Sequence, residues 1–200
     1  MSYIDEEIIK LQRIEERKKY YNLDTGIYID DVLTEFEKTY IEELDITITL
    51  PTTFVTLPES MKKIKYPVET RPALIKTSLD TSVNFTFSIM PVEIKKEQLP
   101  LALKQMKMII QKLNPANTCY EEKVEKTDYF FDIAYFDYMG HALDARLYNI
   151  MYLTPLGDKK ILHGGFNCNF DLKNEWSKVA ILIIKSIVTG NKIGGKENDC

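Results

Sequence analysis

Cysteine is scarce in this chain. Cys119, Cys168 and Cys200 are an odd number at wide spacing with no CxxC pair, and His141 and His163 are the only imidazoles that could join them. That inventory argues against a disulfide framework, makes reduced thiols the expected state, and offers no ligand set for a structural zinc. Long hydrophobic runs are also missing: the longest, from Val179 to Ile184, is far short of the ~20 residues that cross a bilayer, so no integral membrane protein is expected. The start, MSYIDEEIIK, is acidic and lacks the basic region and apolar stretch of roughly 7–15 residues that mark an export leader, which makes the cytoplasm the expected location. Glycine and proline number 8 each, and no repeat or low-complexity tract occurs, so collagen-like, fibrous and disordered classes are excluded.

What is present is enough apolar material for one core: 44% of 200 residues are hydrophobic and 28% charged. A chain of this length buries roughly 70% of its unfolded surface, so stability demands no metal or cofactor, and none is expected. Charge is unevenly placed. Residues 1–45 carry 6 Lys/Arg against 13 Asp/Glu, while residues 46–200 carry 20 against 17, giving −7 and +3 for a total of −4. Lys62, Lys63 and Lys65 are the densest basic group, too small for a nucleic-acid footprint.

The acidic segment reads as helical in two pieces. Ile4, Ile8, Leu11 and Ile14 repeat at helical spacing; Asn22, Asp24 and Gly26 break the pattern; after Asp30 as a cap, Leu33, Phe36, Tyr40 and Leu44 resume it. The expected organisation is therefore an acidic helical arm over 1–45, an α+β domain over 46–190 and a flexible polar tail over 191–200. From Ile46 onward, period two dominates. Ile46, Ile48 and Leu50 alternate, as do Val83, Phe85, Phe87 and Ile89, and Leu143, Ala145, Leu147, Met151 and Leu153. Turns at MGHA and TPLGDKK separate a meander of antiparallel strands that continues through Leu162, Gly164, Phe166 and Cys168. Two helices should cover the sheet. Leu99, Leu103, Met106, Ile110 and Leu113 form one stripe, ended by Asn114-Pro115; Leu172, Trp176, Val179, Ile183 and Ile187 form another, with Asp171 as its cap. The class is α+β with a mostly antiparallel sheet.

Leu50-Pro51 with Phe54, Tyr66-Pro67, Arg71-Pro72, Phe85 to Ser88, Asn114-Pro115, Tyr148 to Met151, Phe166-Asn167-Cys168 and Trp176 follow one another in an order that resembles the PsbP-like α/β/α sandwich. That superfamily includes the photosystem oxygen-evolving subunit, the nuclear Ran nucleotide-release factor and the bacterial envelope family DcrB. The resemblance implies a non-catalytic binding or accessory protein, with a bacterial member expected. The chain departs from exported members in having no signal peptide or lipoprotein cysteine, and from all of them in its acidic arm.

Catalytic motifs fail on inspection. GNKIGGK at 190–196 matches the start of a phosphate-binding loop, but Glu197 stands where Ser or Thr should hold magnesium, and no helix follows. Asn84-Phe85-Thr86 spells a glycosylation triplet inside a strand. By alternation Cys168 points to the core while His163 falls on the opposite face, so no thiol–imidazole pair forms. What remains is a polar patch. Asp144, Arg146 and Tyr148 share one side of their strand, and His163, Asn167 and Asn169 share a side of the next, so neighbouring strands are expected to join them into one partner- or ligand-binding surface. Asn149, set between Leu147 and Met151, is expected to satisfy buried backbone or to mark a bulge. The leading expectation is a non-enzymatic adaptor, chaperone or immunity-type protein, secretion-associated in one version, that binds another protein through a sheet face or edge. The alternative is a small-ligand-binding domain using the polar patch.

Overall fold

The computed structural model describes residues 19–67, 69, 71–127, 132–141, 145–157 and 159–190. Its first elements correct the helical arm. The segment expected to form the second arm helix is β structure: β1 (Tyr21–Asn22), β2 (Gly26–Ile29) and β3 (Val32–Thr34) make a small antiparallel sheet, and β4 (Phe36–Ile41) pairs with β5 (Ile46–Pro51). Asp30 is no helix cap. With Asp31 it forms a two-residue hairpin loop, both at positive φ (48° and 61°), between the paired Ile29 and Val32. Val32, Thr34, Phe36, Thr39, Tyr40 and Ile41 are β-branched or aromatic, so strand packing overrides the helical spacing of Leu33, Phe36, Tyr40 and Leu44. The domain boundary drawn near Asp45 falls in the β4–β5 connection, where Asp45 takes φ 49° and accepts a hydrogen bond from the Tyr40 hydroxyl (2.9 Å). The first arm helix and the 191–200 tail lie outside the described residues.

The rest of the chain follows the expected order. β6 (Val55–Thr56), α1 (Glu59–Lys65), β7 (Leu74–Thr77) and β8 (Val83–Met90) lead into α2 (Leu99–Leu113). Then come the long strands β9 (Thr118–Lys126), β10 (Asp132–His141), β11 (Arg146–Gly157) and β12 (Lys160–Asn169), followed by α3 (Lys173–Lys185) and β13 (Val188–Thr189). The main sheet has the order β6-β7-β8-β12-β11-β10-β9, antiparallel throughout, and β13-β5-β4 forms a separate sheet. Gly140, assigned from sequence to a turn, instead lies in β10 opposite Leu147. Asp171 makes no side-chain cap; a 3₁₀ turn over Phe170–Leu172 leads into α3. Asn114 is extended before Pro115 (φ −144°, ψ 101°) and ends α2, as the proline ring requires.

Both faces of the main sheet are covered, which gives the α/β/α layering. One face packs against α3, β5, Ile27 and Ile29 through Val83, Phe85, Phe87, Ile150, Tyr152 and Phe166. The other packs against Leu99 and Leu103 of α2 through Ala134, Phe136, Leu153 and Ile161. Trp176, 8% exposed, lies 6.1 Å from the Phe166 ring and 5.8 Å from Phe54, where the sequence placed it. The tightest contact is between neighbouring strands. A Cβ at Gly164 would sit 2.0 Å from Cζ of the fully buried Tyr152, so that ring occupies the space a side chain would need.

Gly164→Ala is therefore expected to cost roughly 3 kcal/mol or more in urea melts, the upper range for forcing a group into a packed core. In a Tyr152→Leu background the same step should cost less than about 1 kcal/mol, because the obstructing ring is gone. Equal costs in both backgrounds would show that the ring is not what excludes a side chain there.

Candidate functional site

Register decides which side chains meet, because residues opposite one another on antiparallel strands point to the same face. On the face covered by α2, one row crosses six strands: Thr77, Asn84, Asn167, Asn149, Tyr138 and Cys119. Its β7–β12 half is a continuous hydrogen-bonded chain. Thr77 Oγ1 donates to Asn84 Oδ1 (2.8 Å), Asn84 Nδ2 to Asn167 Oδ1 (3.0 Å) and Asn167 Nδ2 to the Tyr66 hydroxyl (3.2 Å). Lys65 Nζ also donates to Asn84 Oδ1 (2.9 Å), so the chain links α1 to the sheet. Burial lowers the Lys65 pKa, with nearby Asp80 opposing, and raises that of Tyr66, opposed by its bond from Asn167. Asn149 satisfies backbone, as one of its two expected roles required: its Nδ2 donates to Leu147 O (3.1 Å). It also lies 3.0 Å from where a Cβ of Gly140 would stand.

Further along the same face is a cleft of about 220 Å³ lined by Met90, Met106, Ile109, Ile110, Met151 and His163. Its walls are almost wholly apolar. His163 Nε2 is buried with no hydrogen-bond partner among the described residues, and burial lowers the pKa of the imidazole below 6.5. The two helices on this side also present apolar side chains to solvent: Met61 and Ile64 on α1, and Leu101, Met108, Ile109 and Leu113 on α2. Leu113, read as the end of the buried stripe, is 77% exposed.

The polar patch expected from sequence does not form as one surface. Tyr148 is opposite Cys168 and Asn149 opposite Asn167, so Arg146 and Tyr148 face the α3 side while His163, Asn167 and Asn169 face the α2 side. Tyr148 is 1% exposed and donates to Asp137 Oδ2 (3.0 Å); burial raises its pKa, with the Asp137 charge adding to the shift. Lys173 Nζ lies 4.3 Å from the Tyr120 ring centre and 5.3 Å from that of Tyr148, and the Arg146 guanidinium lies 5.0 Å over Phe170. These cation–π contacts seat the start of α3 on the sheet. Asp144 lies outside the described residues. Asn169 is exposed near the end of β12, and His163 and Asn167 share a face with Gly165 between them. The sequence reading passed over Asn84, Tyr66 and the methionine-lined cleft. The available clue was an Asn on each of three strands at positions that pair.

Thiol chemistry has little support here. Cys168 is buried and pushed up to about 12, and desolvation raises the Cys119 pKa. Among the described residues no group of three or more His, Cys, Asp or Glu side chains is placed to hold a metal ion, and no helix is long and apolar enough to cross a membrane.

No family model and no curated protein matches the sequence. Solved structures do match in shape. The cyanobacterial PsbP protein CyanoP of Synechocystis sp. PCC 6803 superposes with a TM-score of 0.57 at 8% identity, over 82% of this chain and 94% of that one. The Ran-binding protein Mog1p of Saccharomyces cerevisiae gives 0.50 at 11% identity, over 78% and 96%. The chain has the PsbP-like fold, and identities this low speak to fold alone.

The depressed His163 pKa sets a pH dependence. The folded state holds the neutral imidazole below the 6.5 of an unperturbed histidine, so on acidification the unfolded chain takes up the proton first. Relative to His163→Leu, the native chain is expected to keep constant stability above about pH 7 and to lose it as pH falls below about 6.5, with the loss levelling off below the folded pKa. Urea melts of both proteins across that range measure this. A difference that does not change with pH, or one that grows in favour of the native chain on acidification, would contradict it.

Proposed function

We propose that this protein is a non-enzymatic accessory protein that binds another protein through the face formed by α1 and α2. One observation carries the reading: Ile64, Leu101 and Ile109 stand 76%, 60% and 55% exposed on helices whose charged residues are six lysines and one glutamate. Three of the lysines are already engaged, Lys62 with Glu59, Lys65 with Asn84 (2.9 Å) and Lys107 with Glu122 (3.0 Å), while Lys63, Lys104 and Lys112 are exposed. Exposed aliphatic side chains ringed by positive charge suit a partner surface with apolar anchors in an acidic rim. The opposite helix offers no comparable face, since Trp176, Val179, Ala180, Ile183 and Ile184 are all buried. Sharing its fold with a protein described as Ran-binding supports a protein-binding role in general and identifies no partner. An adaptor, chaperone or immunity-type role is compatible with such a face.

The test is crosslinked capture from native lysate with the full chain, comparing wild type with an Ile64→Glu/Met108→Glu double variant and a Val32→Glu control. Ile64 and Met108 are exposed, so the double variant should melt within a few degrees of wild type yet recover its partner at least about tenfold less. Val32, 66% exposed on β3, should leave recovery unchanged. Loss of capture in the Val32 variant with retention in the double variant would overturn the reading.

A further inference from the structure

Helix α1 is too short to hold itself. Its seven residues fall well below the roughly 12–15 under which an isolated helix is marginal in water, so α1 persists only while something binds it to the sheet. Apolar burial supplies little of that. Leu57 is buried two residues ahead of the helix and fixes its entry, but Met61 and Ile64 are exposed, and among the described residues no α1 side chain joins either apolar cluster. The one buried residue of α1 is a lysine, Lys62. The attachment is therefore polar. Lys62 Nζ donates to Ala73 O (2.8 Å) just ahead of β7, and Lys65 Nζ donates to Thr81 O and to Asn84 Oδ1 (2.9 Å) of β8. Immediately past the helix, the Tyr66 hydroxyl accepts from Asn167 Nδ2 of β12 (3.2 Å).

The Lys65 contact can open without orphaning a buried group. Asn84 Oδ1 keeps the hydrogen bond from Thr77 Oγ1 (2.8 Å), Thr81 O keeps the one from Asn84 Nδ2 (3.2 Å), and the lysine, an exposed residue, returns its ammonium to water. Release costs the charge-assisted bonds of Lys65 and leaves the sheet beneath satisfied. We propose that α1 is a latched segment of the docking face: the Lys65 ammonium holds the helix on the sheet, and Ile64 belongs to that face only while the latch is closed. The inference rests on the docking reading above, and it makes Lys65 a positioning residue for that face, distinct from the side chains that meet the partner.

Two substitutions at one position separate the latch from general stability. Lys65→Met keeps a long aliphatic side chain and removes the charge, whereas Lys65→Arg keeps the charge and the donors. Hydrogen exchange on the purified full chain is followed at the amides of Lys62 and Tyr66, which donate to Pro58 O and Lys62 O and so report whether α1 is formed. In Lys65→Met these amides are expected to exchange at least about tenfold faster than in wild type, the factor that one charge-assisted bond carries, while α2, the sheet and the urea midpoint are unchanged. Capture of the partner from native lysate should fall with them, and Lys65→Arg should restore both readouts. Wild-type exchange of α1 in Lys65→Met would overturn the latch whatever happens to capture, as would faster exchange spread equally over α2 and the sheet. Undiminished capture with a loosened α1 would overturn its role in docking. A failed docking face has its own signature: Ile64→Glu/Met108→Glu then keeps full capture while α1 still loosens in Lys65→Met, which removes the docking reading and this inference with it.

Discussion

A glycine at the centre of β12 sets what the rest of the sandwich can do. Gly164 yields its side-chain volume to the Tyr152 ring of the neighbouring strand, and beside that ring Phe85, Phe166 and Trp176 form a connected aromatic group with ring centres 4.9 and 6.1 Å apart. Tyr152 thus lies over Gly164 and joins the cluster that packs between the sheet and α3. Gly165 repeats the device on the other face: its missing side chain accommodates Thr86, whose hydroxyl donates to the Gly165 carbonyl (3.2 Å). The sheet is thus thin at its centre on both sides, where a ring fills the α3 side and the small Thr86 side chain the α2 side.

That asymmetry extends to how much each face buries. The α3 face gathers α3, β5 and the Ile27–Ile29 strand into one core, so it holds most of the buried apolar surface and most of the stabilisation that comes with it. The α2 face buries a smaller group around Leu99, Leu103 and Phe136 and spends its remaining area on the asparagine row, the methionine cleft and exposed aliphatic residues. The asparagine row tolerates burial because each amide is paired: Asn84 accepts from Thr77 and Lys65 and donates to Asn167 and the Thr81 carbonyl. Among the described residues His163 Nε2 and Asn117 Oδ1 are buried on this side without a partner.

The sandwich itself was legible in the pattern. Period-two alternation located β8, β11 and β12, and the helical stripes located α2 and α3, because these segments bury one side and their sequences say so. Residues 30–44 misled the reading: their apolar spacing satisfies a helix, and pairing with Ile46–Pro51, a tertiary fact, decides for strand. The polar patch failed for a related reason. Tyr148 counts as polar on a half-exposed sheet, but this sheet is covered on both faces, so its ring joins the core and its hydroxyl is met by Asp137. Asn167 and His163 were placed correctly on one side of their strand, while their partners Asn84 and Tyr66 come from segments too distant in sequence for local pattern to connect.

Most of the buried apolar core lies on the α3 face, and the α2 face, proposed above as the binding surface, holds less of it. Native-state hydrogen exchange on the full chain tests that division directly. Amides of α3, β11 and β12 should exchange only through global unfolding, at the free energy measured by urea melts, while amides of α1 and α2 should open at a distinctly lower free energy without unfolding the sheet. Protection of α1 and α2 equal to that of α3 would contradict the account, because it would show both faces to be parts of a single cooperative core.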